Sequence, residues 1–194
     1  VRGKPLGSGR KSHHASGSTE SSSTCRVWAW GYNGYGQCGT DASQLQRTPL
    51  LLSSAAFSGH CVAAVAAGSF HSVAVTTSGN VFAWGQGSCG QTGTGHRDSN
   101  AQPTQVTGGG LGNLKVARVS AGAFHTLAIT TSGSLFGWGK LYHDEADCVE
   151  PIQVEELDGK AALECASGFQ HWLALLDSGE VWTCGSDEHG ALGN

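Results

Sequence analysis

Three Trp-Gly dipeptides stand 54 residues apart in this chain: Trp30-Gly31, Trp84-Gly85 and Trp138-Gly139. A lone helix or hairpin has no such long period. The chain must reuse one supersecondary unit of that length. Other residues keep the same beat. Gly68, Gly122 and Gly168 each stand three positions before a histidine, in GSFH, GAFH and GFQH, which sets His71, His125 and His171 in matching slots. Gly79, Gly133 and Gly179 recur at intervals of 54 and then 46. The copies align as HSVAVTTSGNVFAWG, HTLAITTSGSLFGWG and HWLALLDSGEVWTCG, and CRVWAWG is the end of an earlier one. The last interval is eight residues short. Six are lost between Trp138 and Pro151 and two between Pro151 and Gly168, judged against Trp84, Pro103 and Gly122.

Each unit holds short runs of β-branched and aromatic residues broken by turn signals such as TTSG. In the second copy the pattern predicts strands over 61–67, 71–76, 81–84 and 104–107. Helical periodicity is absent over most of the chain. Four short strands per unit of about 50 residues is the signature of a propeller blade, so the fold class is all-β. The expected organisation is a Ser-rich disordered tail over 1–24, a partial blade over 25–60, blades over 61–114 and 115–160, and a partial blade over 161–194. The tryptophan ending each third strand is expected to pack between neighbouring blades. Burying one indole removes roughly 150–250 Å² from water, about 4–6 kcal/mol gross at about 25 cal/mol/Å². The glycines that follow it, as in WGYNGYGQCGT from residue 30, let the chain turn at once without striking the ring. Thirty of the 194 residues are glycine, and these loops hold many of them.

The segments SAGAFHTLAITTSGSLFGWG (120–139) and VFAWGQGSCGQTGTG (81–95), with the loops GQCGT, GQTGTG and GALGN, resemble the repeat of the regulator of chromosome condensation (RCC1) family. The resemblance covers residues 25–194. It implies a β-propeller, a ring that the family usually closes with seven blades. The 170 residues here supply about three, an incomplete ring. The lack of any methionine and the stop at GALGN point to a piece of a longer protein, marginally stable by itself.

Several chemistries are disfavoured. Residues 25–194 carry seven basic and 14 acidic side chains, the wrong balance for a broad grip on nucleic acid. No apolar run is long enough to cross a membrane as a helix. The formal G-x-G-x-x-G at Gly85, Gly87 and Gly90 is not followed by a helical pattern, which dinucleotide binding needs, and the repeat explains its glycines. The seven cysteines form no C-x-x-C pair, so they are expected to be unpaired fillers in a reduced, intracellular setting, cytoplasmic or nuclear. Cys184 stands in the tryptophan slot and is expected to leave its blade less well packed. The three recurrent histidines lie on different blades, so they are expected to be structural and not to converge on a metal or substrate. His13-His14 falls in the tail and is given no role. No cofactor, metal or small-molecule substrate is expected, and no catalytic constellation stands out.

The least repetitive stretch is YHDEADCVEPIQVEELDGKAALE, with eight acids and one lysine between 144 and 164. Its spacing does not match a calcium loop. Asp144, Glu145, Asp147, Glu150, Glu155 and Glu156 are therefore the candidate patch for a basic protein partner, weighed against a merely solvated acidic face. The resemblance implies a protein-interaction scaffold, with partners such as a small GTPase or a ubiquitin-pathway protein. The alternative it implies is guanine-nucleotide exchange on a Ran-like small GTPase, the founding member's activity, although its wedge-like insertion is not found here. A plant member of the family perceives ultraviolet light, but its G-W-R-H-T motif is replaced here by GSFHS, GAFHT and GFQHW.

Overall fold

The computed structural model describes residues 25–41, 44–142 and 145–193. The tail, with His13 and His14, and Asp144 lie outside the described residues. Among the described residues, thirteen strands form four antiparallel sheets. Sheet 1 pairs β1 (Val27–Tyr32) with β2 (Leu45–Leu52). Sheet 2 runs in the order β3 (Val62–Ala67), β4 (His71–Thr76), β5 (Val81–Gly85), β6 (Asn100–Gln105). Sheet 3 repeats it with β7 (Val116–Ala121), β8 (His125–Thr130), β9 (Leu135–Gly139) and β10 (Cys148–Gln153). Sheet 4 holds β11 (Ala162–Ser167), β12 (His171–Leu176) and β13 (Val181–Gly185).

The fourth strand of sheet 2 begins four residues earlier than the pattern suggested, at Asn100, and contains Pro103. Pro49 and Pro151 likewise sit in β2 and β10. Proline donates no hydrogen bond, and these outermost strands have an unpaired edge that does not require one.

The sheets stack face to face, and the apolar cores lie between them. Phe57, Leu52, Phe82 and Trp84 fill the space between sheets 1 and 2. Val73, Val75, Phe136 and Trp138 fill the next, and Leu127, Ile129, Trp172 and Leu176 the last. Backbone hydrogen bonds stitch the seams between sheets 2 and 3 and between sheets 3 and 4 at two heights. Val116 N–H donates to Gly79 O at 3.0 Å and Ala162 N–H to Gly133 O at 2.8 Å. Ser69 N–H donates to Gly122 O at 3.3 Å and Ala123 N–H to Phe169 O at 3.1 Å. The recurrent glycines of the turns are thus the points where one copy touches the next.

Trp84 and Trp138 are buried between sheets as expected, but Trp30 is 62% exposed. Val27 and Ala29 pack toward sheet 2, so strand alternation puts Trp28, Trp30 and Tyr32 on the opposite face, where no sheet precedes them among the described residues. One further expectation is corrected. Cys25 and Cys61 are joined by a disulfide, which ties the start of β1 to the residue before β3. The residues just before these two strands meet at a sheet seam, a proximity that spacing along the chain does not reveal.

Candidate partner-binding surface

The repeated polar residues form the seams. Gln37 O accepts from Trp84 Nε1 at 2.9 Å and from Ser72 Oγ at 2.9 Å. One copy later, Gln91 O accepts from Trp138 Nε1 at 2.9 Å and from Thr126 Oγ1 at 2.8 Å. The glycine-rich loop therefore lays a backbone carbonyl on the next indole. Gly93 has a φ of +69°, and a Cβ there would stand 2.8 Å from Trp138 Nε1. That close approach answers why the largest side chain is followed by the smallest ones.

His71 lies 2.8 Å from Thr126 Oγ1 through its Nε2. The threonine hydroxyl already donates to Gln91 O, so His71 Nε2–H is the donor. Burial, then the neighbouring His125, pulls the His71 pKa down to about 3. Burial, then His171, pulls His125 down to about 4. The histidines do not gather at one point, but the first two each feel the next: they form a row, one in each of sheets 2, 3 and 4. The slot of Ser72 and Thr126 holds Trp172 in the last copy, which leaves the buried His125 Nε2 without a partner.

That tryptophan also corrects the expectation for Cys184. Ser72 pairs across the strands with Trp84, Thr126 with Trp138, and Trp172 with Cys184. The indole has crossed to the neighbouring strand. Trp172 is 3% exposed, and its Nε1 donates to Leu141 O at 3.2 Å, in place of the glutamine carbonyl of the other seams. The packing deficit at Cys184 is filled from the opposite strand.

The described candidate acidic residues fall in three places. Asp147 lies 2.6 Å from Arg97 Nη1 and is spoken for. Glu150 lies apart, beside Gly95 and Gly108. Glu145, Glu155 and Glu156 converge on one open groove of about 830 Å³, joined by Asp158, Tyr142, Ile152, Gln153 and Gly110. Glu155 and Glu156 lie in a 3-10 turn just after β10, and Leu157 anchors that turn in the core. No lysine or arginine lines the groove among the described residues. Its field is felt nearby. Burial, then Glu156, holds the Tyr142 phenol well above its usual range, and its hydroxyl donates to Glu156 Oε2 at 3.4 Å. Burial, then Glu145 and Asp147, raises the Cys148 thiol. Among the described residues no group of three or more His, Cys, Asp or Glu could hold a metal. The groove presents spread negative charge around an apolar floor of Tyr142 and Ile152. Tyr142, Ile152 and Asp158 were missed at the sequence level. Asp158 alone had a signal, since it ends the same acidic run.

Stacked antiparallel sheets, two of them four-stranded, with a tryptophan at every seam and a glycine-rich loop at two of the three, define a propeller-type repeat protein. Models of the regulator of chromosome condensation (RCC1) repeat match residues 26–75 and 78–129, and a second such model matches 62–91 and 166–191. The chain belongs to the RCC1 repeat family. It is 31% identical over 180 residues to the ultraviolet-B receptor UVR8 of Arabidopsis thaliana, covering 90% of this chain and 40% of the receptor. It is 34% identical over 180 residues to the E3 ubiquitin-protein ligase HERC2 of Homo sapiens, covering 89% of this chain and 4% of the ligase. The crystal structure of human WBSCR16 superposes with a TM-score of 0.71 at 28% identity, over 81% of this chain and 42% of that one. The chain thus spans less than half of the length of these relatives.

Proposed function

We propose that this chain is a protein-interaction scaffold, without catalysis of its own, whose acidic groove receives a basic segment of a protein partner. The observation that carries this reading is the convergence of Glu145, Glu155, Glu156 and Asp158 around Tyr142 and Ile152, in the one part of the chain that leaves the repeat. A rigid frame of stacked sheets with a charged, non-repeating loop cluster suits recognition. Small GTPases and ubiquitin-pathway proteins are the partner classes in view. Ligase chemistry is not carried over, because the similarity to HERC2 involves 4% of that protein. Ultraviolet perception is not carried over either, because the slots that would hold a Trp-Arg pair read Ser69-Phe70, Ala123-Phe124 and Phe169-Gln170.

The test is affinity capture from cell extract with the chain and with a Glu145→Lys/Glu155→Lys/Glu156→Lys variant. Basic partners held by the first, released by salt and lost from the second are the expected result. An identical captured set would refute the groove. Release of labelled GDP from a Ran-type GTPase is measured alongside; acceleration that survives charge reversal would replace this reading with nucleotide exchange.

A further inference from the structure

The links that leave β6 and β10 correspond residue by residue. Gln105 pairs with Phe82, and Gln153 pairs with Phe136. Val106 N–H donates to Val81 O, and Val154 N–H to Leu135 O. Leu111 and Leu157 are the buried anchors of the two 3-10 turns. Leu114 N–H donates to Leu111 O, as Lys160 N–H does to Leu157 O. Gly112 therefore stands in the slot of Asp158, and Lys115 in the slot of Ala161. After β10 the aspartate closes the corner: Asp158 Oδ1 accepts from Gln153 Nε2 at 3.0 Å and from Gly159 N–H at 3.0 Å. After β6 no side chain stands there. Gly112 has a φ of +42°, and nothing lies within 4 Å of where its Cβ would be. A crevice of about 330 Å³ opens instead, lined by Gln105, Thr107, Gly112, Asn113, Leu114 and Lys115 among others, none of them acidic.

The crevice keeps the donors and lacks the carboxylate. The repeat does not enforce the glutamine, because in sheet 1 the residue opposite Trp28, in the slot of Gln105, is Leu51. Among the described residues the Gln105 amide makes no hydrogen bond and the Lys115 ammonium no ion pair, whereas Arg97 is held by Asp147 and Lys160 lies over the Trp182 ring. The lysine is nevertheless well placed. Its carbonyl accepts from Thr131 N–H at 2.8 Å, the next N–H donates to Gly79 O at 3.0 Å, and a Cβ at Gly79 would stand 2.8 Å from Lys115 Cβ. Both sheets that bound the crevice have all four strands.

We infer that this crevice receives an aspartate side chain from a segment of a partner protein. The incoming carboxylate takes the place that Asp158 fills in the next copy. One oxygen accepts from the Gln105 amide and the other from Lys115 Nζ, both charge-assisted bonds. The occupant is a protein segment and not a free acid because the molecule's own example of the contact is an aspartate held in a turn, and because the crevice has room for the turn as well. The inference does not rest on the acidic groove. The 3-10 turn Gly109–Leu111 separates the two, with Gly110 lining the groove and Leu111 the crevice.

The probe is N-acetyl-aspartyl-glycine amide, titrated into the full 194-residue chain labelled with nitrogen-15. The asparaginyl counterpart and sodium acetate are run beside it at equal ionic strength. The Gln105 side-chain amide, assigned by its disappearance in Gln105→Leu, is expected to shift with a dissociation constant on the order of 1–10 mM. Gln105→Leu should weaken binding about tenfold, the scale of a hydrogen bond to a charged group. Lys115→Ala should weaken it about fivefold, the scale of an exposed ion pair. Both positions are exposed, and leucine already occupies the glutamine slot of sheet 1, so the urea midpoint should hold in each variant. Acetate is expected to bind at least about threefold more weakly than the dipeptide, since it lacks the turn. Acetate binding as tightly would assign the site to small free acids and overturn the protein occupant. Equal binding of the asparaginyl peptide, no shift at Gln105, or affinity indifferent to both substitutions would overturn the carboxylate site itself.

Discussion

The displaced tryptophan of the last sheet invites a double-mutant cycle. Trp172→Thr removes an indole that is 3% exposed and bonded to Leu141 O, leaving a large void opposite Cys184. A Trp lost from such a core costs about 3–5 kcal/mol. Cys184→Trp alone forces a second indole into a position already faced by the first, an overpacking of about 1–3 kcal/mol. Independent effects would leave the double variant nearly unfolded. The structure argues for coupling instead. Thr opposite Trp is the pair that sheet 3 uses at Thr126 and Trp138, and the new hydroxyl would give the buried His125 Nε2 the partner it lacks. The double variant should lie within about 2 kcal/mol of the parent, a coupling of about 3 kcal/mol. Urea titrations of the four proteins, followed by far-ultraviolet dichroism with m-values compared, supply the cycle. Additive losses within about 0.5 kcal/mol would refute the claim that the two positions share one indole site.

Acid should destabilise the seams. His71 and His125 have folded pKa values of about 3 and 4 against an ordinary 6.5, so both stay neutral in the fold while the unfolded chain takes up protons. Stability is therefore fully present above pH 6.5 and is lost as pH falls toward 4, by about 4 kcal/mol for the two between pH 7 and pH 5. Denaturation midpoints that stay flat over that range, or a His71→Gln variant with the same pH slope as the parent, would contradict the burial argument. Cys25 and Cys61 close a loop 36 residues apart in sequence. Closing such a loop is worth about 4 kcal/mol in the chain-entropy account. Cys25→Ser and reduction by dithiothreitol should each lower stability by up to that amount, without adding to one another.

What could be read from the chain was whatever the period enforces. Trp84, Trp138 and the glycines of the turns recur because every seam poses the same packing problem, and a repeated problem leaves a repeated residue. The places where copies differ are harder, since a substitution has meaning only against its partner across the strands. Cys184 by itself predicted a cavity. The same cysteine set beside Trp172, through the register that pairs Ser72 with Trp84, predicts a relocated ring. That register follows from the TTSG turn, so the compensation was legible in principle to a reader who aligned both strands of the hairpin. The Cys25–Cys61 bond was not legible, because it joins the residues before β1 and β3, which are not the same point of successive copies. The acidic run stood in between. Its charge was plain, but Asp147, Glu150 and Glu155 leave the chain in different directions. Only the path of β10 and its following turn decides that Glu145 meets Glu156 while Asp147 meets Arg97. Fold is thus written in what the copies share. The groove and the orphaned histidine nitrogen are written in what one copy lacks and its neighbours possess. For a repeat protein, function should accordingly be sought at the irregular copy.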